Sequence, residues 1–282
     1  MQDQIRSREL PLVFLGMLQG EVLAKLLLPM FGFSSKLPVT DEQRQWVDEG
    51  FSRLEQMLGR RRMLEAVVIL PTAEYFPDPY DKSQAAGERL FQRVCTYMRV
   101  DRSDIEFQIF PDETEILPYW YGNSGGCAGF YSRDGTADET RMLVAVRSTQ
   151  LKDPPTLVAT MAHELGHVIL LGGGLLKPTT PDHEPLTDLL SVFLGFGIFN
   201  ANSAGRFKQY QDETRYGWSM HRLGYLAEEV YGYALAKFVV ERGEENVDWA
   251  KHLSTNVQSY FKRSRSWLAR NKFQVTLAKP ID

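Results

Sequence analysis

The chain has 282 residues, of which 43% are hydrophobic and 24% charged, and its formal net charge is −4. These fractions are typical of a soluble globular protein with one or two domains. The mildly acidic balance comes without a basic run, so nucleic acid is not an expected partner. Cys95 and Cys127 are too few for a disulfide framework and indicate a reducing compartment, for which we predict the cytoplasm.

Residues 10–33 form the most apolar stretch of the chain. Glu21 and Lys25 interrupt it, so it falls short of the about 20 uncharged residues that a transmembrane helix needs. We expect an amphipathic helix that packs on the main domain, and the alternative is contact with a partner or a membrane surface. We therefore predict a helical segment at residues 1–60, packed on a main domain of residues 61–282.

Several helices and strands can be predicted from capping residues and apolar periodicity. Thr40 and Gln43 form a capping box that predicts a helix ending at Gly59. Further helical patterns cover residues 81–99, 216–238 and 246–270. Short apolar or alternating runs predict strands at residues 67–70, 105–109 and 142–146, and Asp134 with Gly135 predicts a hairpin turn before the last of them.

Two of the five histidines, His163 and His167, lie four residues apart. On a helix they share one face, so both imidazoles can reach a common ion, and two neutral imidazoles suit Zn²⁺. Glu164 follows the first histidine, where it can take a proton from water activated by zinc. Asp153 before two prolines predicts the start of this helix, and the glycines at 172–174 predict its end.

A catalytic zinc needs a third protein ligand and an open position. The next apolar run begins at residue 183, with Asp182 as its predicted N-cap, and can present Glu184 to the metal. Asp188 lies one turn further along the same face, where it can accept a hydrogen bond from the far nitrogen of a ligand histidine. His183 and Asp182 adjoin Glu184 and stay open as alternatives for the third ligand.

The pattern H-E-x-x-H followed by E-x-x-x-D on a second helix resembles the gluzincin metallopeptidases, the thermolysin-like branch of the zincins. The resemblance implies that His163, His167 and Glu184 bind zinc. It also implies that Glu164 is the general base and that Asp188 orients a ligand histidine.

The resemblance covers residues 140–235 and implies an α+β, zincin-like fold. A mixed β-sheet would pack on the H-E-x-x-H helix and on the following Glu-bearing helix, and this chain would add N-terminal and C-terminal helices. In that family the edge strand of the sheet binds an extended substrate, which makes residues 141–148 or 127–132 the candidates here.

Zinc peptidases also place a histidine or tyrosine where the oxyanion develops, because a donor there stabilises the transition state selectively. His221 and Tyr225 lie along one side of the predicted helix at residues 216–238, with Tyr216 and Tyr231 behind them. We predict that His221 or Tyr225 has this catalytic role.

Together these features predict a zinc metalloendopeptidase that acts on a peptide or protein substrate. Two other functions are consistent with the same residues. One is a zinc-binding interaction or regulatory protein without proteolytic activity, and the other is a zinc hydrolase of a non-peptide amide or ester.

Overall fold

The computed structural model of the protein describes residues 36–111, 129–134, 141–209 and 226–277. Contacts group Leu37–Asp282 into one compact unit, to which all the elements below belong. The apolar stretch at residues 10–33 lies outside the described residues, so its expected packing and the predicted division at residue 60 stay predictions. None of the described helices combines the length and the apolar character needed to cross a membrane.

The described part of the chain is mostly helical, with a small sheet near its middle. Its α-helices, in chain order, are α1 Asp41–Leu58, α2 Arg60–Leu64, α3 Gln84–Met98, α4 Pro154–His167, α5 His183–Phe193, α6 Gly197–Gln209, α7 Glu228–Arg242 and α8 Thr255–Leu277. Its strands are β1 Ile105–Phe110, β2 Gly129–Asp134 and β3 Arg141–Arg147.

The three strands form a mixed sheet in the order β1-β3-β2, with β1 parallel and β2 antiparallel to β3. Val144, Ala145 and Val146 of β3 are all buried, so the sheet is covered on both faces here and burial does not alternate along the strand as predicted. Helices and a mixed sheet together confirm the broad α+β class. Because β3 is paired on both sides, residues 141–148 cannot be the edge strand, and that candidate was wrong. β2, which contains most of the other candidate range, is an edge among the described strands.

Local capping explains where helices α1 and α4 begin. The capping box of Thr40 and Gln43 is present at the start of α1, and Gly59 follows its last residue, as predicted. At the start of α4 the side chain of Asp153 accepts a hydrogen bond from the amide of Thr156, with proline in the first turn. These ends were predictable because each depends on residues only two or three positions apart.

Three predicted elements differ from the structure. Residues 67–70 are not part of a strand among the described residues; the Ile69 amide instead donates a hydrogen bond to the Gly195 carbonyl. Ala227 has an extended backbone, so α7 begins at Glu228, where acidic residues favour a helix N-terminus. Residues 216–225 of the helix predicted for residues 216–238 lie outside the described residues. The predicted C-terminal helix is divided into a 3₁₀ turn at Asp248–His252 and α8.

Helix α4 occupies the centre of the unit and packs against β2, β3, α3, α5 and α6. From Leu157 to His167 every one of its residues is buried. A helix that is surrounded on all sides must be largely apolar, so polar side chains within it need a specific partner or role. His163, Glu164 and His167 are only 4–5% exposed, which makes them the exceptional residues of this helix.

We predict that Cys95 is chemically inert in the folded protein. It lies on α3 with 1% of its surface exposed, and burial raises the pKa of its thiol to about 12. In a Cys127→Ser variant, where Cys95 is the remaining cysteine, a thiol-reactive disulfide reagent at pH 8 should give no reaction until urea is added. Rapid stoichiometric modification under native conditions would contradict this burial.

Candidate metal centre

Helices α4 and α5 cross so that two side chains of one helix meet one side chain of the other. The Nε2 atoms of His163 and His167 are 3.2 Å apart. The Oε2 atom of Glu184 lies 3.1 Å from the first and 3.2 Å from the second. Among the described residues these three side chains form a group that could hold a metal ion.

The spacing of the three atoms fits a tetrahedral metal ion. With metal–ligand bonds of about 2.0–2.1 Å, a tetrahedral ion separates its ligand atoms by about 3.3 Å. The observed triangle has edges of 3.1–3.2 Å, so the side chains would need little movement to bind such an ion. The donor set of two imidazoles and one carboxylate therefore fits the predicted ion in chemistry and in dimensions.

Asp188 sets the protonation of the first histidine. Its Oδ1 atom lies 2.8 Å from Nδ1 of His163, and the carboxylate is fully buried. A carboxylate accepts hydrogen bonds, so Nδ1 carries the proton and the lone pair on Nε2 points toward the other two ligands. Its Oδ2 atom accepts a second hydrogen bond, 2.8 Å from the amide of Leu226. The predicted position of Asp188 beside a ligand histidine agrees with this geometry.

Thr187 contacts the far nitrogen of the second histidine, His167. Its hydroxyl donates its single proton to the carbonyl of His183 at 2.7 Å. The oxygen lies 3.4 Å from Nδ1 of His167, and because its proton is already donated it can act there only as an acceptor, which favours the tautomer with the proton on Nδ1. Sequence reasoning missed Thr187, although its position one residue before Asp188 and one turn after His183 could have indicated it.

The three ligand atoms therefore bring lone pairs together within 3.2 Å, and this arrangement favours a positive charge between them. Burial acts to lower the pKa of His163, but Asp188 and Glu184 overcome it and raise that pKa well above its ordinary value. Burial likewise acts to raise the pKa of Glu184, yet His167 and His163 bring it below its ordinary value. Both directions are those of a positive charge on His163 held between the two carboxylates in the metal-free protein, and a bound metal cation would take the place of that charge.

Glu164 is 4% exposed, and burial raises the pKa of its carboxyl from 4.5 to about 8. It lines a small cavity of about 10 Å³ together with Asp188, Asn200 and Tyr231, which is room for about one water molecule. The Oδ1 atom of Asn200 is buried there and has no hydrogen-bond partner among the described residues. Sequence reasoning also missed Asn200, which is marked only by its polarity within the apolar start of α6.

The two alternatives for the third ligand do not join the group. Both carboxylate oxygens of Asp182 accept hydrogen bonds from Arg53, and one of them also accepts from Trp46. The His183 ring lies 5.8 Å from the His167 ring, centre to centre, beside the triangle of ligand atoms. Glu184 is therefore the residue that completes, with the two histidines, a group that could hold a metal ion.

The residues proposed to stabilise the oxyanion cannot be placed. His221, Tyr225 and Tyr216 lie outside the described residues, so their catalytic role stays a prediction. Tyr231 lies on α7, is 1% exposed and lines the cavity beside Glu164.

Comparison of the chain with protein-family models, with curated proteins and with solved structures found no match. What can be said of its function therefore depends on the geometry of the site.

The close approach of α4 and α5 requires a glycine. A Cβ atom added to Gly166 would lie 2.7 Å from the Cγ2 methyl of Thr187, which is too close for the present helix separation. Alanine is intrinsically better than glycine inside a helix by up to about 1 kcal/mol, so any loss of stability must come from this contact.

We predict that Gly166→Ala destabilises the metal-free protein by about 1–3 kcal/mol in urea denaturation, because the added methyl forces the helices apart. Thr187→Ser removes the opposing methyl and keeps the hydroxyl. The double variant should therefore recover most of the lost stability, with Thr187→Ser alone as the control. A double variant as unstable as Gly166→Ala would show that another contact is responsible.

We also predict that Glu164→Gln stabilises the metal-free protein at alkaline pH. The pKa of Glu164 is near 8 in the folded protein and 4.5 in its ordinary state, so its ionisation destabilises the fold increasingly between those values. The variant should match the wild type near pH 4 and exceed it in thermal stability at pH 8.5. Equal stability of the two proteins at both pH values would contradict the raised pKa of this buried carboxyl.

Proposed function

We propose that this protein is a zinc-dependent hydrolase, and specifically a metalloendopeptidase of the gluzincin type. The observation that carries the proposal is the convergence of His163, His167 and Glu184, with Glu164 buried next to the first ligand on the same helix. Two histidines and a carboxylate are a donor set that catalytic zinc uses in hydrolytic enzymes.

The accessibility of the ligands supports a catalytic rather than a closed structural site. The side chains of His163 and His167 are 6% and 7% exposed, whereas that of Glu184 is 32% exposed. A bound ion would thus be reached from the side of Glu184. Three protein ligands leave a coordination position for a water molecule or a substrate oxygen.

Zinc, when bound, supplies a Lewis acid that acidifies water and polarises a substrate carbonyl. Glu164 accepts a proton from the attacking water while the oxygen of that water bonds to the carbonyl carbon of the substrate. Glu164 then gives this proton to the departing amine nitrogen as the carbon–nitrogen bond breaks. Burial raises the pKa of Glu164, and a nearby cation would lower it again, so the two influences suit a base that works near neutral pH.

The sheet supports a peptide as the substrate. Helix α4 packs against β2 and β3, so the β2 edge of the sheet adjoins the helix that carries the histidines. An extended peptide could pair with an edge strand through backbone hydrogen bonds, which would present its carbonyls in a regular order. His221 or Tyr225 remains our proposed donor to the oxyanion.

We predict near-stoichiometric zinc in the purified wild-type protein and its loss in Glu184→Ala, because that variant removes one of three ligands. Elemental mass spectrometry measures this directly, and Glu49→Gln, which alters an exposed glutamate on α1, is the matched control. Wild-type protein that holds no transition metal even after incubation with Zn²⁺ would contradict the proposed site.

We further predict that Glu164→Gln keeps its zinc but loses about 10²- to 10⁴-fold in turnover, since the amide cannot accept the proton. A library of fluorogenic peptides provides the assay. Full activity of Glu164→Gln would overturn this mechanism. Zinc-loaded wild-type protein that hydrolyses small amides or esters but no peptide would instead indicate a non-peptide hydrolase, and failure on every substrate would favour an interaction protein.

A further inference from the structure

The third metal ligand is held in place differently from the other two. His163 and His167 are one turn apart on α4, so the helix backbone sets their separation. Glu184 belongs to another helix and is only the second residue of α5. The first turn of a helix is its least stable part, so the place of Glu184 depends on what restrains the start of α5.

The loop before α5 offers little restraint. It runs from Gly173 to Asp182 and is mostly exposed, and Gly174 within it has a positive φ of 69°. None of these ten residues is buried, and Asp182, the last residue before the helix, connects the loop to α1. The residues of the first turn on either side of Glu184, His183 and Pro185, are buried, so the ion pair of Asp182 adds to the restraint that their packing gives.

Asp182 occupies the N-cap position of α5 but does not cap the helix. An N-cap aspartate normally accepts a hydrogen bond from an amide in the first turn, and here no such bond is made. The carboxylate instead faces α1. Nη1 of Arg53 donates to it at 2.5 Å and Nη2 at 3.3 Å, and Nε1 of Trp46 donates at 3.3 Å.

This contact joins residues 129 positions apart and is partly shielded from water, since the Asp182 side chain is 16% exposed. Charge-assisted bonds from a planar guanidinium fix orientation as well as distance. Further along the same interface the ring of Phe51 packs against the ring of Phe193, so aromatic packing also joins α1 to α5.

We propose that Arg53 is a positioning residue for the metal centre, because its ion pair with Asp182 holds the first turn of α5 where Glu184 meets the two imidazoles. The inference rests on the metal centre of the proposed function. Trp46 supports the same carboxylate from the side. The helix α1 thereby contributes to metal binding without contributing a ligand.

The experiment measures zinc affinity by competition with a chromophoric chelator, starting from chelator-stripped full-length protein. We expect Arg53→Ala to weaken zinc binding about 10- to 100-fold, as the loss of partners that orient ligands typically does. Arg53→Lys keeps the positive charge but lacks the planar guanidinium with its two donors, so it should recover part of the zinc affinity that Arg53→Ala loses. Arg61→Ala is the matched control, because Arg61 also pairs with a single carboxylate but on an exposed surface.

A purely structural role would give a different result. If Arg53 only stabilised the fold, Arg53→Ala would lower the melting temperatures of the metal-free and zinc-loaded proteins equally, and the rise produced by zinc would stay unchanged. We expect that rise to shrink, because weaker binding stabilises the folded state less at a given zinc concentration. In addition, the Arg53→Ala/Asp182→Asn double variant should bind zinc no more weakly than the weaker of the two single variants.

The outcomes separate this inference from the proposed function. Zinc binding by the wild type with an unchanged affinity in Arg53→Ala overturns the positioning role and leaves the metal centre intact. A wild type that binds no zinc overturns both. If Arg53→Ala does not fold, Trp46→Phe removes one donor to Asp182 and keeps the aromatic packing, and its zinc affinity should fall by a smaller factor or the inference fails.

Discussion

The close packing of α4 against α5 is the contact on which the rest of the site depends. Gly166 allows the two helices to approach until the methyl of Thr187 fills the space that a side chain would take. At this separation the carboxylate of Glu184 lies within 3.2 Å of the Nε2 atoms of both imidazoles. The same approach brings Asp188 within 2.8 Å of His163, so this close packing underlies both the grouping of the three side chains and the orientation of His163.

The site also shows how a buried helix can carry polar groups. The remainder of α4 is apolar enough to be surrounded by a sheet and three helices, and that burial stabilises the fold. Within this apolar helix His163 and His167 have Asp188 and Thr187 as buried partners. Glu164 instead lines a small cavity, and burial raises the pKa of its carboxyl. A carboxyl in such surroundings destabilises the fold, and positions of this kind are where catalytic acids and bases are found.

The centre draws on three separate parts of the chain. Helix α4 provides the histidines and the proposed base, α5 provides the third ligand with Thr187 and Asp188, and α1 holds Asp182 through Arg53. Asp188 connects the site to a fourth part of the chain, because it also accepts a hydrogen bond from the amide of Leu226, just before α7. The geometry of the site is therefore a property of the whole unit and would respond to changes far from the ligands.

The sequence by itself determined the local features of this protein. The helix that carries His163 and His167, its capping by Asp153 and the presence of strand β3 follow from residues within a few positions of one another. Glu184 and Asp188 could be anticipated because they share a face of one short helix. Such features depend on backbone periodicity and on short-range hydrogen bonds, which neighbouring residues largely decide.

Only the tertiary structure decided which distant groups meet. Asp182 is a reasonable helix cap in the sequence, but in the folded protein its carboxylate binds Arg53, since an ion pair with a well-placed guanidinium competes successfully with a local amide. Residues 67–70 are apolar enough for a strand, but a strand needs a partner, and the fold places Gly195 beside them instead. Thr187 likewise gains its role only when α5 crosses α4 at close range. These outcomes depend on the packing of helices far apart in the chain, and no local pattern specifies it.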